Sequence, residues 1–251
     1  MVYALDGTVR RTRVSYAYRF DAALVSRSGQ LVALYERLGT KAVIVDATDA
    51  SFVREIDRRF YQAHVYEFPI AFVTLPDGTE GLAHCPREYC RLDVEDARTG
   101  RCLTDSVPRK PSDCFHSRLL QSPGGRWLAS AGWMWHPVDV GGFWDFREVL
   151  ANPKLLDEFQ APVKIGEEVA SLTFMDDDTA LVATGEDADD DEKVGDRLIL
   201  VDPRTGLARR DFPLLGPAGT VHRISSDRVI SFLPPHQNLW VDRLGSGRWP
   251  S

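Results

Sequence analysis

Short apolar runs alternate along this chain with tight polar turns, and the alternation has a long period. A polar turn followed by an apolar strand reads Ser28-Gly29-Gln30-Leu31-Val32-Ala33, then Asp77-Gly78-Thr79-Glu80-Gly81-Leu82, then Gly124-Gly125-Arg126-Trp127-Leu128-Ala129. It returns as Asp177-Asp178-Thr179-Ala180-Leu181-Val182 and as Ser226-Asp227-Arg228-Val229-Ile230-Ser231. Counted from Gly29, Gly78, Gly125, Asp178 and Asp227, the steps are 49, 47, 53 and 49 residues. A near-constant step of this size is what a four-stranded propeller blade requires.

A second feature recurs in phase with the first. An apolar strand ends in Asp and a turn: Ile44-Val45-Asp46-Ala47-Thr48, Val94-Glu95-Asp96-Ala97-Arg98-Thr99-Gly100 and Leu200-Val201-Asp202-Pro203-Arg204-Thr205-Gly206. Trp144-Asp145 and Val241-Asp242 fill the two remaining places. The chemistry suits a hairpin, because Asp accepts hydrogen bonds from N–H groups just ahead, Pro203 presets φ, and Gly100 or Gly206 supplies φ > 0.

Each unit therefore reads as four strands, which in the first unit are 22–26, 31–36, 42–46 and 52–56. The expected fold is all-β: a single five-bladed β-propeller of four-stranded blades spanning residues 1–251. Its repeats lie near 20–58, 68–105, 115–160, 168–212 and 219–251. The last unit runs out of chain after strands near 220–224, 229–233 and 239–242, so residues 8–13 are expected to complete it and close the ring. The rival with similar strand spacing is a β-sandwich. After Trp144, the segment 147–159 carries Leu150, Leu155 and Leu156 and reads as a short helix interrupted by Pro153, replacing or preceding an outer strand.

The hydrophobic-Asp turn before each outer strand is similar to that of WD-type propellers, with Trp144-Asp145 a literal instance and the usual Gly-His dipeptide missing. Two stretches resemble an uncharacterised bacterial propeller-like family. They are Asp57-Arg58-Arg59-Phe60-Tyr61-Gln62-Ala63-His64-Val65-Tyr66-Glu67-Phe68-Pro69 and Ser130-Ala131-Gly132-Trp133-Met134-Trp135-His136-Pro137. The resemblance covers residues 20–240 and implies a fold but no activity.

Charge narrows the partners. Net charge is −7 and the pI about 5.4, which argues against general affinity for nucleic-acid phosphates or anionic lipid. No apolar run reaches the roughly 18 residues of a membrane span, and no secretory leader precedes Arg10, Arg11 and Arg13, so a cytoplasmic monomer is expected. Cys85, Cys90, Cys102 and Cys114 form no disulfide framework and, even with His84 and His116 nearby, no tight zinc signature, so reduced thiols without metal are expected. The run from Glu186 to Glu192 fails the calcium-loop template and reads as a solvated loop.

No nucleophile elbow, zinc-helix motif or phosphate loop is present, so no catalytic residue and no cofactor is assigned. The expected function is recognition of a protein partner through one propeller face. Candidate contacts come from two aromatic stretches: Trp133, Trp135, His136, Phe143 and Trp144 in a loop, and Tyr61, His64 and Tyr66 in a connector between units. The competing reading puts Trp133 and Trp135 into core between blades, and makes residues 59–67 a structural clasp. Strand direction predicts that both stretches emerge on one face. The alternative function is a glycosidase-like hydrolase with carboxylates in the axial pocket, for which Glu36, Asp93 and Glu186 are the residues to inspect.

Overall fold

The computed structural model describes residues 2–3, 6–10, 15–135, 138–185, 197–214, 216, 218–232 and 240–243. The chain is all-β, and its strands form five antiparallel sheets in chain order preceded by a short ribbon. The ribbon pairs β1 (Val2–Tyr3) with β2 (Val9–Arg10). The first sheet is β3 (Ala22–Val25), β4 (Leu31–Tyr35), β5 (Lys41–Asp46) and β6 (Phe52–Asp57), joined in sequence. The second holds β7 (Ile70–Thr74), β8 (Glu80–His84) and β9 (Asp93–Asp96).

In the third sheet, β10 (Cys114–Phe115) and β11 (Leu120–Gln121) both pair with β12 (Trp127–Met134), which pairs with β13 (Val138–Asp145). Helix α1 (Phe146–Ala151) and a 3-10 turn (Pro153–Asp157) then precede the outer strand β14 (Ala161–Pro162). The fourth sheet is β15 (Val169–Phe174), β16 (Ala180–Thr184), β17 (Arg197–Val201) and β18 (Ala208–Pro213). The fifth is β19 (Thr220–Ser225), β20 (Arg228–Phe232) and β21 (Trp240–Arg243).

The period-2 alternation of strand side chains determines how the sheets stack. On β16, Ala180 and Val182 join a core with the third sheet, while Leu181 and Ala183 join a core with the fifth. On β13, Phe143 packs towards the fourth sheet and its neighbour Trp144 towards the second. Leu31, Ile44 and Ile56 of the first sheet meet Ile70 and Leu82 of the second and Phe68 of the connector. Each sheet thus packs face to face on the next, through four separate apolar cores in chain order.

The turns form as their chemistry predicts. Gly29, Gly78 and Gly125 take φ of 73°, 84° and 81°, and Gly100 and Gly206 take 73° and 71°. Asp46 accepts from Thr48 N, Asp96 from Arg98 N and Thr99 N, Asp202 from Arg204 N, and Asp145 from Arg147 N and Glu148 N.

Three expectations need correction. The second sheet has three strands, because only a Glu95–Cys102 bridge stands where a fourth was expected. Pro108 and Pro111 in the segment that follows lack ladder donors. That segment is instead pinned by Arg109, whose buried guanidinium holds Asp157 at 2.6 Å. Residues 133–146 are not a loop: Trp127–Met134 and Val138–Asp145 pair antiparallel along their whole length, and Phe146 opens α1. Finally, Val9–Arg10 pairs with Val2–Tyr3, and among the described residues β21 pairs only with β20. Residues 11–14 and 233–239 lie outside the described residues, as does the acidic run from Glu186 to Glu192.

Candidate functional site

The hairpin β12–β13 places its aromatics by register. Phe115 on β10 lies opposite Trp133 on β12, which lies opposite Asp139 on β13, so all three share one side of the sheet. Phe115 is fully buried and stacks on Trp133, with ring centroids 4.1 Å apart and planes 9° from parallel. It also stacks on Tyr89 at 4.4 Å, and Trp133 stacks in turn on Trp135 at 5.6 Å. Tyr61, from the connector between the first and second sheets, reaches Tyr89 at 5.0 Å and Phe115 at 6.0 Å.

This stack ends in water. Trp135 is 51% exposed, Tyr61 49% and Phe60 81%, while Val65, Met134 and Val138 are also exposed. The connector and the hairpin tip therefore meet on one face around Phe115. An apolar, largely aromatic surface of this kind commonly marks an interaction site.

The other aromatic candidates lie elsewhere. Phe143 and Trp144 are at 0% exposure, as consecutive strand residues pointing into two different inter-sheet cores, so neither can touch a partner. Tyr66 is buried too, with the Arg58 guanidinium 4.5 Å from its ring. Arg58 donates to the carbonyls of Gly39, Ala63, Tyr66 and Glu67, which makes this half of the connector a structural clasp. His64 is exposed, and His136 lies outside the described residues.

Beside the aromatics is a polar cluster that no sequence motif announces. The pairing on β12 is interrupted between β10 and β11, and Arg118 there has φ of 45°, a left-handed conformation that costs free energy for any residue with a Cβ. Its guanidinium holds Glu67 at 3.2 Å and donates to the Ala170 carbonyl of the fourth sheet. Glu67 is also close enough to Tyr35 of the first sheet to help burial push that phenol up. Burial lowers the pKa of His222 in the fifth sheet, and Glu67 opposes that shift. The Glu67 carboxylate is thus felt by side chains of the first, third and fifth sheets.

Asp139 N donates to Glu168 Oε2 at 3.1 Å, and burial together with the Glu168 charge pushes the Asp139 carboxyl up to about 6. A raised carboxyl pKa means the native state holds this proton more tightly than the unfolded chain. Stability then falls as pH rises from about 4 through 6 and stays lower above. Asp139→Asn mimics the protonated form and is expected to stabilise the protein at pH 7 by roughly 1 to 2 kcal/mol, allowing for the water that reaches the site. The gain should vanish at pH 4. Urea unfolding at both pH values checks it, and a variant weaker than wild type at pH 7 contradicts it.

The carboxylates marked from sequence are placed differently. Asp93 is fully buried and takes Thr104 Oγ1 at 2.9 Å and Arg91 at 3.1 Å, which closes it to a substrate. Glu36 is half-buried just beyond β4, and Glu186 lies outside the described residues. Cys85, Cys90 and Cys114 are buried and Cys102 half-buried, all as free thiols, and burial pushes Cys114 up to about 12. Among the described residues no group of His, Cys, Asp and Glu is arranged to hold a metal ion, and no helix is long and apolar enough to cross a membrane.

The opposite face carries an open groove of about 550 Å³ between the second and third sheets. It is lined by Pro76, Gly78, Gly125, Arg126 and Arg147, with Asp145 facing Arg126 at 3.6 Å. No protein-family model and no curated protein matches this chain.

Proposed function

We propose that the five sheets close into a five-bladed propeller, distantly akin to WD-type propellers, that works as a non-catalytic recognition module. Its protein partner docks on the face bearing Trp135 and Tyr61. The observation that carries this reading is the aromatic stack, which starts on the buried Phe115 and ends on two half-exposed rings from separate parts of the chain. Rigid, pre-stacked aromatics bind at low entropic cost because their rotamers are already fixed. Ring closure is supported by the sequential inter-sheet cores and by the reach of Glu67 to His222, which brings the fifth sheet towards the connector leaving the first. Among the described residues Val9–Arg10 pairs only with Val2–Tyr3.

Oxidative footprinting of the protein with its co-purified partner tests the reading. Tyr61, Trp133 and Trp135 are expected to lose labelling several-fold on complex formation, while the opposite groove around Pro76 and Arg147 keeps its labelling. Protection of the groove with unchanged tryptophans would overturn it.

Asp139 favours a second reading, hydrolysis with its carboxyl as the general acid, since burial and the Glu168 charge push its pKa up to about 6. Turnover of aryl glycosides that is lost in Asp139→Asn would support it.

A further inference from the structure

We propose that the segment docking on the aromatic face is cationic, a partner peptide bearing Arg or Lys. This rests on the recognition reading above and adds the chemistry of the occupant. Around the exposed rings stand four carboxylates that form no ion pair among the described residues, Glu88, Asp113, Asp139 and Glu168, although Arg118 lies near enough to Asp139 to act on it through space. Glu88 and Asp113 are exposed, and Asp113 accepts the hydroxyl of Tyr89, itself a member of the stack, at 2.5 Å. Asp139 shares its cross-strand row with Trp133 and Phe115, and Glu168 is hydrogen-bonded to its backbone.

The cations of this region are otherwise engaged. Arg118 is held by Glu67 and the Ala170 carbonyl, and Arg58 is buried among carbonyls. Arg59 alone is exposed on the connector without an ion pair among the described residues. Carboxylates therefore outnumber available cations beside flat aromatic faces. A guanidinium fits both features, stacking its plane on an indole while donating to a carboxylate. A proline-rich segment would use the rings and leave the carboxylates unanswered, and an acidic segment would meet repulsion.

The test is fluorescence anisotropy of the full chain with three labelled peptides of equal length: arginine-containing, proline-rich without charge, and acidic. The arginine peptide is expected to bind at least about tenfold more tightly than either of the others. Trp135→Ala should weaken it about tenfold, and Asp139→Asn combined with Glu168→Gln about fivefold or more. Glu148→Gln combined with Asp178→Asn removes the same charge at the far end of the sheets and should change binding by less than about twofold. Equal loss from the remote pair would overturn the proposal as diffuse attraction. Tighter, Trp135-dependent binding of the proline-rich or acidic peptide would overturn it while leaving the recognition reading intact. Absence of Trp135-dependent binding for every peptide would also overturn it, and the footprint would then decide the recognition reading separately.

Discussion

Gly132→Ala is expected to destabilise the protein by about 3 kcal/mol or more, lowering the melting temperature by roughly 6 to 12 °C. Gly132 sits on β12 where the inner edge of the third sheet breaks between β10 and β11. A Cβ there would overlap the carbonyl oxygen of Phe115 and lie 3.0 Å from its carbonyl carbon and 3.1 Å from His116 Cα. All three are backbone atoms, so no rotamer change relieves the clash, and β10 itself must move. That shift would carry Phe115 away from Tyr89 and Trp133, so the variant should also lose the near-UV dichroism of the coupled aromatics. A melting temperature within about 2 °C of wild type would show that the inner strand yields freely there.

Much of the architecture is legible in the sequence because it depends on local chemistry repeated at a fixed period. Gly29, Gly78 and Gly125 mark tight turns, and Asp46, Asp96 and Asp202 cap the hairpins, each through contacts within a few residues. What depends on register is less legible. The stretch 133–146 looks like an aromatic-rich loop with paired glycines, yet Gly141 and Gly142 lie inside β13, where Val169 and Phe159 approach too closely for a side chain. A hairpin centred on residue 136 would have set Asp139 opposite Trp133 and placed a carboxylate in the site. The period-2 rule would then have sent Phe143 and Trp144 to opposite cores. Arg118, Glu67 and Glu168 carry no motif, because three different sheets and connectors bring them together.

The same alternation makes two tryptophans of one hairpin behave differently, and the difference should be large. Trp144 is fully buried, packs on Phe159 at 4.7 Å and donates Nε1–H to the Glu158 carbonyl at 2.7 Å. Trp144→Ala leaves a cavity and an unpaired carbonyl, and should cost about 3 to 5 kcal/mol. Trp135, half exposed and stacked on one neighbour, contributes little core, so Trp135→Ala should cost less than about 1 kcal/mol. In binding the order should reverse, since of the two only Trp135 presents a face to solvent.

The most direct measurement runs thermal melts and affinity co-purification from the source cells in parallel on wild type, Trp135→Ala and Trp144→Ala. Trp135→Ala should melt within about 3 °C of wild type and lose the specifically co-purified partner, whereas Trp144→Ala melts roughly 10 °C lower. A Trp135→Ala protein that folds normally and retains the same partner undiminished would contradict recognition through this face.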